Sequence, residues 1–272
     1  MSFDQVAPPG VLIFSGSDPS GGAGMQADIP AVAALGAHPF TVPTVLTVQD
    51  NQNVFGVHPL PPELVRQQAQ VLIDRFDIAA VKLGVLGSRA NAEVVAELIA
   101  ALRARQPGLP VVFDPVLANN GGDALSLEEP IAALVPLFPL ASVITPNRGE
   151  AERLCGGDTD AERQAASLLA RGCEHVLLKG GHGPAQDDVV NRLYGADGSS
   201  HSWRWPRLDG EFHGSGCTLA AAIAALLARG QPMAEAVAHA QQYCQRALAS
   251  AYALAPGQRF PNRIKPFLKE WA

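Results

Sequence analysis

The chain has no run of lysine or arginine, and its formal net charge is -6. That argues against a nucleic-acid-binding face and against a polybasic membrane patch. Residues 1–10 lack both a basic start and an apolar core, so no signal peptide is expected. No apolar run reaches the length of a transmembrane helix. There are only four cysteines, at 155, 173, 217 and 244, with no CxxC pair and no zinc-ligand spacing. They suit a reducing cytoplasm better than a disulfide framework. Linkers, repeats and low-complexity tracts are also missing. What remains is 272 residues, 47% of them hydrophobic, enough for one sizeable core. The expectation is a single domain over 1–272.

Short β-rich apolar runs alternate with longer amphipathic stretches. Residues 11–15, 41–48, 79–83, 111–114, 142–145 and 175–179 read as strands. Residues 23–35, 63–75, 90–105 and 161–171 read as helices. This alternation predicts an α/β fold with a mostly parallel sheet covered by helices on both faces. The rhythm breaks at 190–194 and 201–205, which read as an antiparallel hairpin. Helices over 218–228 and 233–253 close the chain. Polar or glycine residues follow most strands, and ligands of open α/β sheets bind outside those carboxyl ends.

The segment Phe212-His213-Gly214-Ser215-Gly216-Cys217-Thr218 runs into an alanine-rich helix. The first N–H groups of a helix lack partners within it, and the dipole is positive there. Gly214 and Gly216 allow close backbone approach, so Gly214, Ser215 and Gly216 read as a phosphate or oxyanion cradle. Cys217 would feel the same field, which favours its thiolate. The segment equally fits a glycine-rich helix start with an inert buried cysteine.

The first loop, Gly16-Ser17-Asp18-Pro19-Ser20-Gly21-Gly22-Ala23-Gly24, approaches two phosphate motifs without meeting either. Gly22-Ala23 stands where a P-loop needs Lys and Ser/Thr. The dinucleotide pattern from Gly22 to Ala27 starts several residues beyond its strand, and no acid ends the next strand. Further on, Asp28 reads either as a solvated helix carboxylate or as a functional group. Asp114 ends an apolar strand and is expected to face the crevice. Glu150, near a helix start after Pro146-Asn147, either complements the dipole or serves the site. Lys179 needs an acidic partner or an anionic ligand.

Taken in order, these pieces resemble the hydroxymethylpyrimidine/phosphomethylpyrimidine kinases, of the ribokinase-like superfamily. The resemblance rests on Ser17 to Gly24 with Gln26-Ala27-Asp28, Thr47-Val48-Gln49, Val81-Lys82-Leu83-Gly84 and Asp114-Pro115-Val116. It continues through Thr145-Pro146-Asn147 with Glu150-Ala151, Leu178-Lys179-Gly180-Gly181-His182, and His213 to Leu219. It implies a three-layer α/β/α sandwich and ATP-dependent phosphorylation of 4-amino-5-hydroxymethyl-2-methylpyrimidine and its monophosphate in thiamine biosynthesis. On that resemblance the pyrimidine lies against Gly16, Ala23, Asp28, Thr47, Gln49 and Val116. Cys217 takes the hydroxymethyl proton, and Gly214 to Cys217 with Lys179 hold the phosphoryl group. Asp114, Asn147, Glu150 and Lys179 serve the nucleotide side. Asp114 and Glu150 act on Mg²⁺ through water, since Mg²⁺ keeps much of its hydration shell. A homodimer is implied as well, and the apolar stretch 41–48 with 51–57 beyond it fits a covered surface.

The chain departs from the family pattern at four places. Val85 stands where members commonly have Met, and Asp50 where they have Asn. Arg148-Gly149 replaces a frequent Leu-Pro pair, and Ser215 a usual Thr. The Val85 change touches the substrate pocket. Pyridoxal kinase, a close relative, is the alternative, since pyridoxal also carries a hydroxymethyl group. A non-catalytic pyrimidine or nucleotide sensor should have lost the anion loop, the lysine or the acids, and none is lost.

Overall fold

The computed structural model describes residues 7–117, 130–181 and 188–264. Its strands are β1 (Gly10–Ser17), β2 (His38–Gln49), β3 (Val54–Pro59), β4 (Ile78–Leu83), β5 (Val111–Phe113), β6 (Val143–Ile144), β7 (His175–Leu178), β8 (Asp188–Gly195) and β9 (Ser200–Pro206). Among the described residues they form one sheet in the order β3-β2-β1-β4-β5-β6-β7-β8-β9. From β2 to β7 every neighbouring pair is parallel. The pairs β2–β3, β7–β8 and β8–β9 are antiparallel. The expected parallel sheet and hairpin are therefore both present.

β1 shows why the sheet is sandwiched. Successive side chains of a strand point to opposite faces. Leu12 and Phe14 enter one core cluster, with Val65 and Ala69 of α2 (Pro62–Arg75) and Val95 and Ile99 of α3 (Arg89–Arg105). Val11 and Ile13 enter the other, with Ala31 of α1 (Gly24–Ala34) and the apolar residues of two helices from the end of the chain. A strand buried on both faces needs an unbroken apolar run, and Val11 to Phe14 supplies it.

Several boundaries differ from the expectation. The helix expected from 218 begins three residues earlier. Two short helices, α4 (Pro130–Leu134) and α5 (Arg148–Leu154), and strand β3 escaped periodicity, being too short to show a period. The helix expected over 161–171 is α6 (Ala161–Leu169), after which Gly172 turns the chain at φ +101°. The last two helices are α7 (Ser215–Ala228) and α8 (Met233–Ala249). α8 stops short of 253 because Tyr252 pairs with Phe260 in an antiparallel bridge. His182 lies outside the described residues.

Candidate active site

A cavity of about 860 Å³ opens at the carboxyl ends of the parallel strands. Gly16, Ala23, Thr47, Gln49, Val116, Asp114, Asn147, Glu150, Lys179 and Gly214 to Cys217 all line it, and so does Val85. Of the expected site residues, Asp28 alone is missing from the wall.

At one end Asp18 shapes the first loop. Its Oδ1 accepts from Ser20 N at 2.8 Å and its Oδ2 from Ala23 N at 2.7 Å. The Asp18 N–H donates to Gln26 Oε1 at 2.9 Å, so helix α1 holds the loop from below. His213 Nε2 stands 3.0 Å from Asp18 Oδ2 and joins this loop to the one before α7. Burial pushes the Asp18 carboxyl up, but hydrogen bonds from His213, Ala23 and Ser20 together hold it below its ordinary value. Thr47 Oγ1 donates to Ser17 O at 2.9 Å, and Gln49 at the end of β2 lines the cavity.

The anion end is built on α7. Its N-cap is Gly214 at φ +74°, and no side chain caps the helix. Its first N–H groups are therefore available to a ligand. A Cβ on Gly216 would lie 3.1 Å from Lys179 Nζ and 3.6 Å from Asp114 Oδ2, so helix end, cation and acid converge on one point. Lys179 Nζ donates to Asp114 Oδ1 at 3.0 Å, and Thr145 Oγ1 to the same oxygen at 2.8 Å. Burial pulls the Lys179 ammonium down, but Asp114 and Glu150 more than offset it.

Glu150 takes the helix-start place that the sequence suggested and also lines the cavity. With Asn147 it forms a capping box at the start of α5, the two exchanging bonds of 2.7 and 2.9 Å. Its carboxyl also reaches the cavity, where burial pushes it up to about 7; Lys179 opposes that rise and Asp114 adds to it.

Cys217 opens onto the cavity but is enclosed on its other sides. That desolvation pushes the thiol up to about 11, against the pull of Lys82. Burial thus opposes the thiolate that the helix end is expected to favour.

The placement of Asp28 is corrected. It does not line the cavity and is fully buried, with its Oδ2 2.8 Å from Lys82 Nζ. Its helix position did not reveal that this face turns onto the sheet.

The far end of the cavity went unread in the sequence. There Gln241 Oε1 accepts from Trp205 Nε1 at 2.9 Å and from Asn191 Nδ2 at 2.8 Å. Asn191 Oδ1 accepts from Gly180 N at 2.9 Å, tying this wall to the Lys179 loop. Leu208 and Leu248 add apolar surface. A flat heterocycle fits such a wall.

An α/β/α sandwich whose strand-end cavity gathers a glycine-led helix N-terminus, a lysine and two acids has the architecture of a ribokinase-like phosphotransferase. The family model described as phosphomethylpyrimidine kinase matches residues 18–262. The hydroxymethylpyrimidine/phosphomethylpyrimidine kinase of Streptomyces coelicolor is 42% identical over 93% of each chain. The Mycobacterium leprae protein described in the same words is 37% identical over 94% of this chain and 96% of its own. Among solved structures, an ADP complex of Bacillus subtilis pyridoxal kinase superposes with TM-score 0.84 at 30% identity, covering 94% of this chain and 97% of that one. Phosphomethylpyrimidine kinase from Clostridium difficile 630 gives 0.74 at 31% identity, covering 88% and 99%. The chain belongs to the phosphomethylpyrimidine kinase family and is a kinase.

Proposed function

We propose that this cavity transfers the γ-phosphoryl group of ATP to 4-amino-5-hydroxymethyl-2-methylpyrimidine, and then to its monophosphate, as a step of thiamine biosynthesis in the cytoplasm. The observation that carries this reading is the order of groups along the cavity. In the sheet order Gln49 ends β2 and Trp205 belongs to β9 at the other side. Helix α7, packed on β4 and β5, brings its N-terminus to the cavity between them, with Lys179 following β7. The amide of Gln49 both donates and accepts, which suits an aminopyrimidine edge.

The hydroxymethyl oxygen bonds to the γ-phosphorus as the bond to the bridging oxygen of ADP breaks, and Cys217, reacting as its thiolate, takes the hydroxyl proton and becomes the thiol. The N–H groups of Gly214 to Cys217 and the Lys179 ammonium stabilise the charge on the group in transit. Phosphoryl transfer asks mainly for positioning and charge stabilisation.

Mg²⁺ fits the donor set as a hydrated, nucleotide-bound ion. Asp114 commits Oδ1 to Lys179 and Thr145, and Glu150 commits Oε2 to Asn147. Each acid keeps one oxygen for a metal-bound water. When bound, the ion neutralises phosphate charge.

A second reading is phosphorylation of pyridoxal, favoured by the close superposition on pyridoxal kinase. The reading includes a single catalytic domain and a homodimer. Leu46, Val48 and Phe55 are 47, 51 and 69% exposed on the edge ribbon of β2 and β3, an apolar strip that suits a second copy. Light scattering under assay conditions tests the dimer, and a monomeric mass with full activity refutes it. The activity is tested by assaying ATP-dependent phosphorylation of the pyrimidine, its monophosphate and pyridoxal side by side, with Mg²⁺ and with excess chelator. Turnover of the pyrimidine that chelator abolishes is expected. Exclusive turnover of pyridoxal would replace the first reading with the second.

A further inference from the structure

Arg263 is buried in the described C-terminal segment, far in sequence from the first loop that it meets. The backbone of that segment pairs with residues 211–213, through Arg259 N to Glu211 O at 2.8 Å and His213 N to Arg259 O at 2.9 Å. Tyr243 Oη donates to the Arg263 carbonyl at 2.9 Å and fixes the backbone itself.

The guanidinium then reaches in two directions. Nη2 donates to Gly22 O in the first loop. Nε donates to Thr218 Oγ1 at 2.9 Å, and Thr218 Oγ1 donates to Gly214 O, the N-cap carbonyl of α7, at 2.8 Å. Nη2 also lies 3.4 Å from His213 O. Among the described residues these hydrogen-bond acceptors are all neutral. A buried cation without an acid partner is costly, so these bonds must hold something that offsets the cost. What they hold is the seam between the two loops. A rigid planar fork with five donors suits that task, and a lysine does not.

We propose that Arg263 is a positioning residue that aligns the acceptor loop 16–24 with the phosphoryl-holding turn 213–217. This rests on the reading that the first loop holds the pyrimidine and the second the group in transit. Arg263 is absent from the cavity wall, so it acts through Gly22 and Thr218 and not by contact.

The test uses the full chain with Arg263→Met, Arg263→Lys and the milder Thr218→Val. It measures kcat, both KM values, and ADP formed per pyrimidine phosphate formed. Misalignment of about 1 Å can cost on the order of 10²-fold in rate. Arg263→Met is therefore expected to lower kcat by roughly 30- to 100-fold, with both KM values within about threefold. The ratio of ADP to product is expected to rise above one. Water then bonds to the γ-phosphorus in place of the hydroxymethyl oxygen, ADP and orthophosphate leave, and the proton of water passes to solvent. Arg263→Lys and Thr218→Val should move both readouts the same way by less, and Thr218→Val decides if Arg263→Met fails to fold. A folded variant set with unchanged kcat, with the loss confined to KM, or with a ratio held at one overturns the inference. Lack of pyrimidine turnover by the wild type instead overturns the substrate reading, and this inference with it.

Discussion

Lys82 Nζ stands 2.8 Å from Asp28 Oδ2, and neither side chain exposes any surface. Two opposite charges buried together stabilise little over an apolar pair, but removing one leaves the other uncompensated. Burial pushes the Asp28 carboxyl above its ordinary value despite Lys82, while Asp28 and its acidic neighbours keep the Lys82 ammonium protonated against burial. Asp28→Ala is therefore expected to cost about 3–5 kcal/mol of stability. Urea denaturation of Asp28→Ala, beside the double change Asp28→Asn with Lys82→Met, checks this. The double variant should recover most of the loss; equal losses in both would refute the pairing argument.

In the proposed reaction Gln49 makes the acceptor contact. Gln49→Ala is expected to raise KM for the pyrimidine by at least about tenfold, roughly the worth of a hydrogen bond to a buried polar group. KM for ATP should stay within about twofold, because Gln49 ends β2 and Trp205 belongs to β9, at the other side of the sheet order. Equal effects on both substrates in steady-state kinetics would remove Gln49 from the acceptor site.

The Cys217 thiol is pushed up to about 11, so below that value its thiolate fraction rises tenfold per pH unit. If the thiolate is the base, kcat climbs with pH between 7 and 9. Cys217→Ala is expected to flatten that climb and to lower kcat by about 10²- to 10⁴-fold. A pH–rate profile of the Ala variant parallel to the wild type would deny Cys217 the role.

Glu150 links the site to folding. Its pKa is raised from 4.5 to about 7 in the folded protein. Between these values the folded state binds more protons than the unfolded chain, so stability falls as pH rises through that window. The contribution is fully present below pH 4.5 and lost above about 7. Glu150→Gln keeps a capping-box side chain but removes the titration. The difference in Tm between wild type and Glu150→Gln should grow from pH 4.5 to 7 in favour of the variant, then level off. A pH-independent difference would contradict this.

The strand ends were legible because each pairs an apolar run with a polar stop. Asp114 and Lys179 are the clearest cases, and they meet at 3.0 Å although 65 residues separate them. The α7 turn was legible because two glycines flank a serine before an alanine run. Asp28 was misread because helical position alone does not tell a cavity-facing carboxylate from one turned onto the sheet. Lys82, inside Val81-Lys82-Leu83, carried no sign of its partner 54 residues away. Arg263 was invisible for a stronger reason: it meets Gly22 across 241 residues, with backbone oxygen and a hydroxyl as partners. Such acceptors leave no mark in a pattern of charge.

The first loop and the turn before α7 approach each other closely at two glycines, beside the Asp18–His213 contact. A Cβ on Gly22 would lie 2.0 Å from His213 Cδ2, and one on Gly214 would lie 2.1 Å from Gly22 O. A real Cβ never comes so near, so mutating either loop singly forces its neighbour aside. For anyone redesigning acceptor preference by directed evolution, side chains introduced at Gly22, Gly24 or Gly214 would displace the neighbouring backbone or His213. The adjustable ground lies beside this seam. There Val85, Gln49 and Val116 face the same cavity from strand ends and can exchange side chains while the glycine seam stays as it is.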